Sequence, residues 1–416
     1  MLSYLLEHHR YLNMLGIAVI IAVAYIASTN RKAISWKLVA TALAMQFALA
    51  FWMLRLPSGI AIVSALAQGV AALYQFAEYG ARFVFGSLVD ASGPWGFLFA
   101  FKVLPIIIFF GALMSILFYL GVVQKFVAGI NMLVRPLLGT TGAESTCAVA
   151  NSFLGQTESP MLIKHYLASM SRSEIFVVMV SGMATISGSI LAVFAAMGVP
   201  ASHMLAASVM AVPASILIAK IMIPGTNSNE SEKAVCPTTP QGNLLDALAT
   251  GTFDGLNLAM NVAAMLIVFI ALIAMGDAFV LLLTTHLHHS GSIFAVVPIM
   301  NLRELFGYLF APVAMLLGFV GDQSLVAGQL LGTKMVVNEL VAYQDMLTKN
   351  LDERSIAILT YALCGFANFS CIGIQIGGIG ALCTTQRPTL TQLGVRAVCA
   401  ATLVNLLSAC IAGLLL

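Results

Sequence analysis

Seven stretches of this chain, near residues 12–28, 38–54, 103–123, 175–199, 203–223, 258–284 and 391–416, are apolar over the length a helix needs to cross a hydrocarbon core, about 20 residues. Runs of that kind predict membrane-crossing helices. Composition agrees, because 60% of the 416 residues are hydrophobic and only 9% are charged, against roughly 25% charged in an ordinary soluble domain. The expectation is an all-α polytopic membrane protein embedded in membrane lipid. A net charge of +2, with the basic residues scattered between apolar runs, argues against nucleic acid as a partner. The seven cysteines at 147, 236, 364, 371, 383, 399 and 410 form no CxxC pair and no metal-ligand spacing, so they read as reduced, small apolar side chains.

The first apolar run is followed by NRKAISWK and not by a small-residue cleavage motif, which makes it a retained transmembrane helix. Arg31, Lys32 and Lys37 lie between it and the next run, so the positive-inside rule puts that loop in the cytoplasm and the N-terminus outside.

Two regions break the pattern. Between 124 and 174, and between 293 and 370, apolar segments are interrupted by polar clusters such as AESTCAVANSFLGQTESP and TKMVVNELVAYQD. Non-helical backbone persists at membrane depth only where protein or a water-lined cavity covers it, so these clusters predict re-entrant hairpins and discontinuous helices. The regions also correspond in order. Segments 135–170, 175–198 and 203–223 are matched by 300–348, 358–378 and 391–416, each set running from an interrupted polar segment through a loosened helix to a plain apolar one. Paired interruptions in two halves of a chain point to the binding site of a secondary transporter. The polar run GTNSNESEKAVCPTTPQGN reads as an exposed linker between the copies, and NLLDALATGTFDGLNLAMN as an amphipathic surface helix leading into the next span.

Several polar side chains fall inside these segments. Gln156, Thr157 and Glu158 in GQTESP line a half-helix tip that offers donors and acceptors to a neutral polar solute; the plainer alternative for Glu158 is a loop carboxylate among the headgroups. Asn338 and Glu339 in VVNELVAY repeat the situation. Asn368 and Ser370 in CGFANFS mark a break that frees backbone carbonyls, or else an interhelical hydrogen bond, and Phe366 beside them is packing or a platform for a flat ring. ATISGSI supplies Thr185, Ser187 and Ser189, and taken alone is a helix-packing motif. HLHH at 286–289 reads as a solvated interfacial loop and not as a metal site, and Asp90, Asp254 and Asp277 as residues near span ends. No serine–histidine or HExxH pattern supports an intramembrane hydrolase.

NSFLGQTESP, MVVNELVAY and ALCGFANFS, in that order, resemble the signature segments of the concentrative nucleoside transporters from about residue 96 onwards. The resemblance implies about eight transmembrane helices plus two re-entrant hairpins in inverted repeats, divided into scaffold and transport domains, in a homotrimer. It implies import of a nucleoside such as uridine across the inner membrane by an elevator-like symporter. Residues 1–95 would hold the N-terminal transmembrane helices and an interfacial segment, 96–134 a scaffold helix and a connecting helix, and 135–223 the first transport repeat. Residues 224–257 would be linker and interfacial helix, 258–299 a scaffold helix and loop, and 300–416 the second repeat. Gln156, Thr157 and Glu158 would meet the base, with Ile190 at the same site. Glu339 and Asn368 would hold the ribose hydroxyls, with Ser370 and Cys371 beside them, Cys371 standing where a serine is usual, and Phe366 would line the same site. Asn151, Leu154, Thr185 and Ile186 match the family's Na+ positions, Thr185 replacing a serine but keeping the oxygen. The rival coupling ion is a proton on Glu158 or Glu339. No cofactor is implied, and a channel-like pore or an intramembrane enzyme remains as an alternative.

Overall fold

The computed structural model describes residues 4, 6–90, 96, 98–225, 242–289 and 299–416. All regular elements among these residues are helices. The linker predicted after Ile223 falls almost wholly outside the described residues, together with Cys236; the six described cysteines are free.

Helices α1 (Arg10–Ile26) and α2 (Trp36–Arg55) flank the basic loop, and Ser35 caps α2 by accepting from the Leu38 N–H. Pro57 then opens α3 (Pro57–Phe85), at the position where its missing N–H costs nothing. This third helix is absent from the seven runs read from the sequence. Ser, Gln, Glu and Tyr interrupt its apolar run, yet among the described residues it is one of eight helices long and apolar enough to cross a membrane. α4 (Leu104–Tyr119) and α5 (Val122–Leu138) follow, with Gly121 turning between them at φ 71°.

The first broken region comprises α6 (Gly142–Asn151), an irregular tip with a short 3-10 turn at Ser159–Ile163, and then α7 (Arg172–Ala184), α8 (Gly188–Met197) and α9 (Ala201–Met222). Residues 175–199, read as one loosened span, are two half-helices. Thr185 leaves α7 in an extended conformation, and Ser187 starts α8 by accepting from the Ile190 N–H. After α10 (Leu244–His289), the second region repeats the order: α11 (Leu302–Leu316), α12 (Asp322–Val336), α13 (Glu339–Thr348), α14 (Glu353–Leu363), α15 (Ser370–Leu382) and α16 (Arg387–Leu415). Here the break runs from Cys364 to Phe369 and turns at Gly365, whose φ of 109° suits glycine. Local signals fix these starts: Ser171 with Glu174, and Asn301 with Glu304, form capping boxes at α7 and α11.

The predicted surface helix and span between 244 and 289 form one continuous helix, α10. Two expectations change with it. The HLHH segment is the last turn of α10, not a loop, and Asp277 lies inside the apolar stretch Ile270–His289. Asp277 faces Arg303 at 3.7 Å.

Burial separates core from periphery. In the apolar stretch of Arg172–Met197, 94% of residues are buried, against 11% for Pro57–Val89 and Ile270–His289. The first broken helix, the α14 half of the second, and the closing helices α9 and α16 therefore form the centre of this all-α polytopic membrane protein, with its two re-entrant hairpins in inverted repeats. Helices α3 and α10 present apolar surface outward, including Phe76, Tyr79, Phe83, Met275 and Phe279. The centres of the two broken helices touch: a Cβ on Gly365 would stand 2.5 Å from the Ala184 carbonyl oxygen.

Candidate functional site

Where the two breaks and the two hairpin tips converge lies a cavity of about 220 Å³. Gln156, Thr157 and Glu158 reach it from the first tip, Ser187 and Ile190 from the start of α8, and Asn338 and Glu339 from the second tip. Phe366, Asn368, Ser370 and Cys371 enter from the second break, while Leu258, Asn261 and Val262 of α10 close the remaining side. The nine positions singled out in the sequence as solute-facing thus share one wall-to-wall space, although they come from residues as far apart as 156 and 371. Most of the surface is apolar, with a few polar groups set into it, as small-solute pockets require.

The polar groups are held in place by one another. Asn338 caps α13 by accepting from the Val341 N–H, which puts Glu339 at the first position of a helix, where the backbone dipole favours a carboxylate. Glu339 Oε2 accepts from Asn368 Nδ2 at 2.9 Å. Asn368 Oδ1 in turn receives the Ser370 hydroxyl at 2.6 Å and the Cys371 N–H at 3.1 Å. Gln156 donates Nε2 to Cys371 Sγ at 3.3 Å and accepts at Oε1 from Gln375 Nε2 at 3.2 Å. Glu158 Oε2 accepts from the Gly155 N–H at 3.3 Å. Of Ser370 and Cys371, the serine hydroxyl is committed to Asn368 and the thiol to Gln156.

Glu158 also reaches a second cavity of about 170 Å³, whose wall includes Ser115, Tyr119, Ser189 and Asp254. It lies against the crossing of α4 and α10, where Gly111, Gly251 and Gly255 let the backbones approach so closely that a Cβ on Gly255 would stand 2.8 Å from the Ile108 Cα.

Behind the first tip lies the predicted ion position. Asn151 and Thr185 are both buried and both tied to Ser181: Asn151 Nδ2 donates to Ser181 Oγ at 2.9 Å, and the Thr185 hydroxyl donates to the Ser181 carbonyl at 2.8 Å. The Phe153 carbonyl accepts from the Gly188 N–H at 2.9 Å, stitching the stretch that holds Leu154 to the break that holds Ile186. Among the described residues, Asn151 Oδ1 is buried with no donor. An orphaned amide oxygen costs about 1–3 kcal/mol, and the Thr185 oxygen has already given away its hydrogen. Two neutral oxygens with free lone pairs beside a broken helix fit a small hard cation.

Four supporting residues escaped the sequence reading. Ser181 sits within α7 and gave no break signal. Gln375, Lys334 and Asn405 are polar side chains inside apolar helices, and that mismatch was their visible signal; all three are buried.

The chain matches the family model for the C-terminus of Na+-dependent nucleoside transporters over residues 203–413 and the model for their N-terminus over 15–88. A nucleoside-recognition Gate model matches residues 100–201. It is 38% identical to the nucleoside permease NupC of Helicobacter pylori, over 97% of each chain. The solved structure of CNTnw in an inward-facing substrate-bound state is 37% identical and superposes with a TM-score of 0.90 over 99% of both chains. A doubly substituted CNTnw in an outward-facing state, 36% identical, superposes equally well at 0.90 over 98% of this chain and 97% of that one.

Proposed function

The chain belongs to the family of Na+-dependent nucleoside transporters, whose members are transporters and not enzymes, and we propose that it imports a nucleoside such as uridine across the inner membrane with Na+ as the coupling ion. The observation that carries this reading is that a mainly apolar cavity is lined by two hydrogen-bonded pairs, Glu339 with Asn368 and Gln156 with Cys371. Glu339 keeps one carboxylate oxygen for sugar hydroxyls, and Asn368 holds that carboxylate in position. Gln156 retains one amide hydrogen and one lone pair for the base edge. Apolar walls from Ile190 and Phe366 supply the burial. No covalent step is needed.

Coupling in this reading comes from the first hairpin tip, which carries Asn151 and Leu154 at its root and Gln156 at its solute-facing end. A cation that satisfies Asn151 Oδ1 stiffens the same short segment that presents Gln156, so each ligand favours the arrangement the other needs. An elevator-like movement is supported by the make-up of the cavity. Hairpins and broken helices form all of its wall except for α10, so the core can carry the solute as it slides past α10. The outward apolar faces of α3 and α10 suit lipid and sister protomers, in keeping with a homotrimer.

Uridine accumulation in proteoliposomes tests the reading. Uptake above equilibrium with an inward Na+ gradient, lost when choline replaces Na+ and insensitive to a protonophore, is expected. Uphill uptake that persists in choline and collapses with the protonophore makes H+ the coupling ion, with Glu158 or Glu339 its carrier. Uptake that only equilibrates marks a pore.

A further inference from the structure

Lys334 lies in the last turn of α12, four residues before the cap of the second hairpin's other arm, and is 2% exposed. Its ammonium donates to the Ala362 carbonyl at 2.9 Å and to Asn405 Oδ1 at 2.7 Å. Among the described residues no carboxylate lies within ion-pair distance of it. A charge buried at this depth is costly unless its surroundings are strongly negative. Here they are. Ala362 is in the last turn of α14, where the unsatisfied carbonyls carry the negative end of the helix dipole. Asn405 passes the contact on, because its Nδ2 donates at 2.8 Å to the carbonyl of Ala184, the last residue of α7. With Gly365 packed directly on Ala184, two negative helix ends are pressed together, and Lys334 is the cation beside them.

The two repeats treat this position differently. In the first, the residue on the leading hairpin arm that reaches the half-helix of its own repeat is Asn151, neutral and with an orphaned oxygen. In the second, the residue on the leading arm that reaches its own half-helix is Lys334, a cation with two of its donors engaged. We propose that Lys334 is a tethered cation, which fills permanently in the second repeat the place that an exchangeable cation takes in the first. The proposal rests on the ion position assigned to Asn151 and Thr185. It makes Lys334 a positioning residue: it holds the second break, and through Asn405 the first, so that only one of two symmetry-related cation positions can empty during the cycle.

A built-in cation has a property that a packing residue lacks, which is that a free cation can replace it. The test is thermal unfolding of the purified full chain in detergent, titrated with NaCl at constant ionic strength against choline chloride. The parent is expected to show one saturable rise in Tm. Lys334→Ser, which leaves space and an oxygen, should unfold well below the parent in choline and regain stability in a second saturable phase as Na+ rises. Lys334→Met, which fills the space with no oxygen, should stay low with the parent's single phase. A serine variant with the same single phase as the parent overturns the tethered-cation role. Should the serine variant aggregate, Lys334→Arg decides: a folded protein with the parent's Na+ response supports the requirement for charge, and failure of arginine as well indicates shape alone and overturns the proposal. A parent that Na+ does not stabilise at all removes the first-repeat ion site instead, an outcome distinct from both.

Discussion

Asn368 donates its Nδ2 hydrogen to Glu339 Oε2 across 2.9 Å, and so ties the break of the second broken helix to the tip of the second hairpin. Neither residue is adjacent to the other in sequence, and each is fixed by its own helix terminus: Glu339 by the start of α13, Asn368 by the Ser370 hydroxyl and the Cys371 N–H. The pair presents a carboxylate whose charge is already oriented before a solute arrives.

Replacing that carboxylate therefore removes strong bonds without removing shape. Charge-assisted hydrogen bonds contribute about 1.5–3 kcal/mol each, so Glu339→Gln should weaken uridine binding by about 10- to 100-fold while leaving the unfolding temperature near that of the parent. Isothermal titration with the purified variant measures this. Affinity within twofold of the parent in a folded variant takes Glu339 out of the site.

Base and sugar should separate cleanly. Gln156→Ala is expected to lower affinity for uridine, 2′-deoxyuridine and 3′-deoxyuridine by the same factor, since all three carry the same base. Asn368→Ala, which loosens Glu339, should reduce the parent's discrimination between uridine and the deoxynucleosides. Competition uptake with the three compounds reads both. A Gln156 variant whose loss depends on the sugar contradicts the assignment.

How much of this was legible in the sequence follows from what each signal measures. The spans, the two interrupted regions and the polar cavity positions Gln156, Thr157, Glu158, Glu339, Asn368 and Ser370 could be named because a polar residue inside an apolar run is visible one residue at a time, whereas Ile190 and Cys371 came only from the family resemblance. The helix at Pro57–Phe85 was not, because its polar residues spread over one face and broke the apolar run without breaking the helix. The division of 175–199 into half-helices was only hinted at, since Thr185 and Ser187 are compatible with packing until the extended backbone between them is seen. Ser181 was invisible for a different reason: it acts through a hydroxyl and a carbonyl on two separate partners, and a contact between α6 and α7 leaves no mark in linear spacing.

The Ser181 bridge makes its own prediction. Thr185→Ala removes one candidate oxygen for the ion, and Ser181→Ala releases the side chain of Asn151. Each should raise the Na+ concentration for half-maximal uridine uptake several-fold, with uptake at saturating Na+ closer to the parent. An unchanged Na+ dependence in both variants refutes the ion position.

The contact between the two breaks is steric as well as polar. At Gly365 the backbone is at φ 109°, and a Cβ would lie 2.5 Å from the Ala184 oxygen and 3.0 Å from Asn405 Nδ2. Backbone strain alone costs about 1–3 kcal/mol for a non-glycine residue there, and the clash adds to it. Gly365→Ala should lower the unfolding temperature and abolish uptake together, whereas Gly373→Ala, where a Cβ meets open space, should do neither. A Gly365 variant as stable as the parent means that the breaks can separate.

The most direct test of the account is the linkage between ion and solute in the parent chain. Uridine affinity measured by titration calorimetry at several Na+ concentrations, with choline keeping ionic strength constant, should rise with Na+ and then saturate, and Na+ affinity measured at several uridine concentrations should rise by the same factor. Uridine affinity that is identical in Na+ and in choline would contradict the account, because Asn151 and Gln156 share one hairpin tip and occupancy at one end could not then be felt at the other.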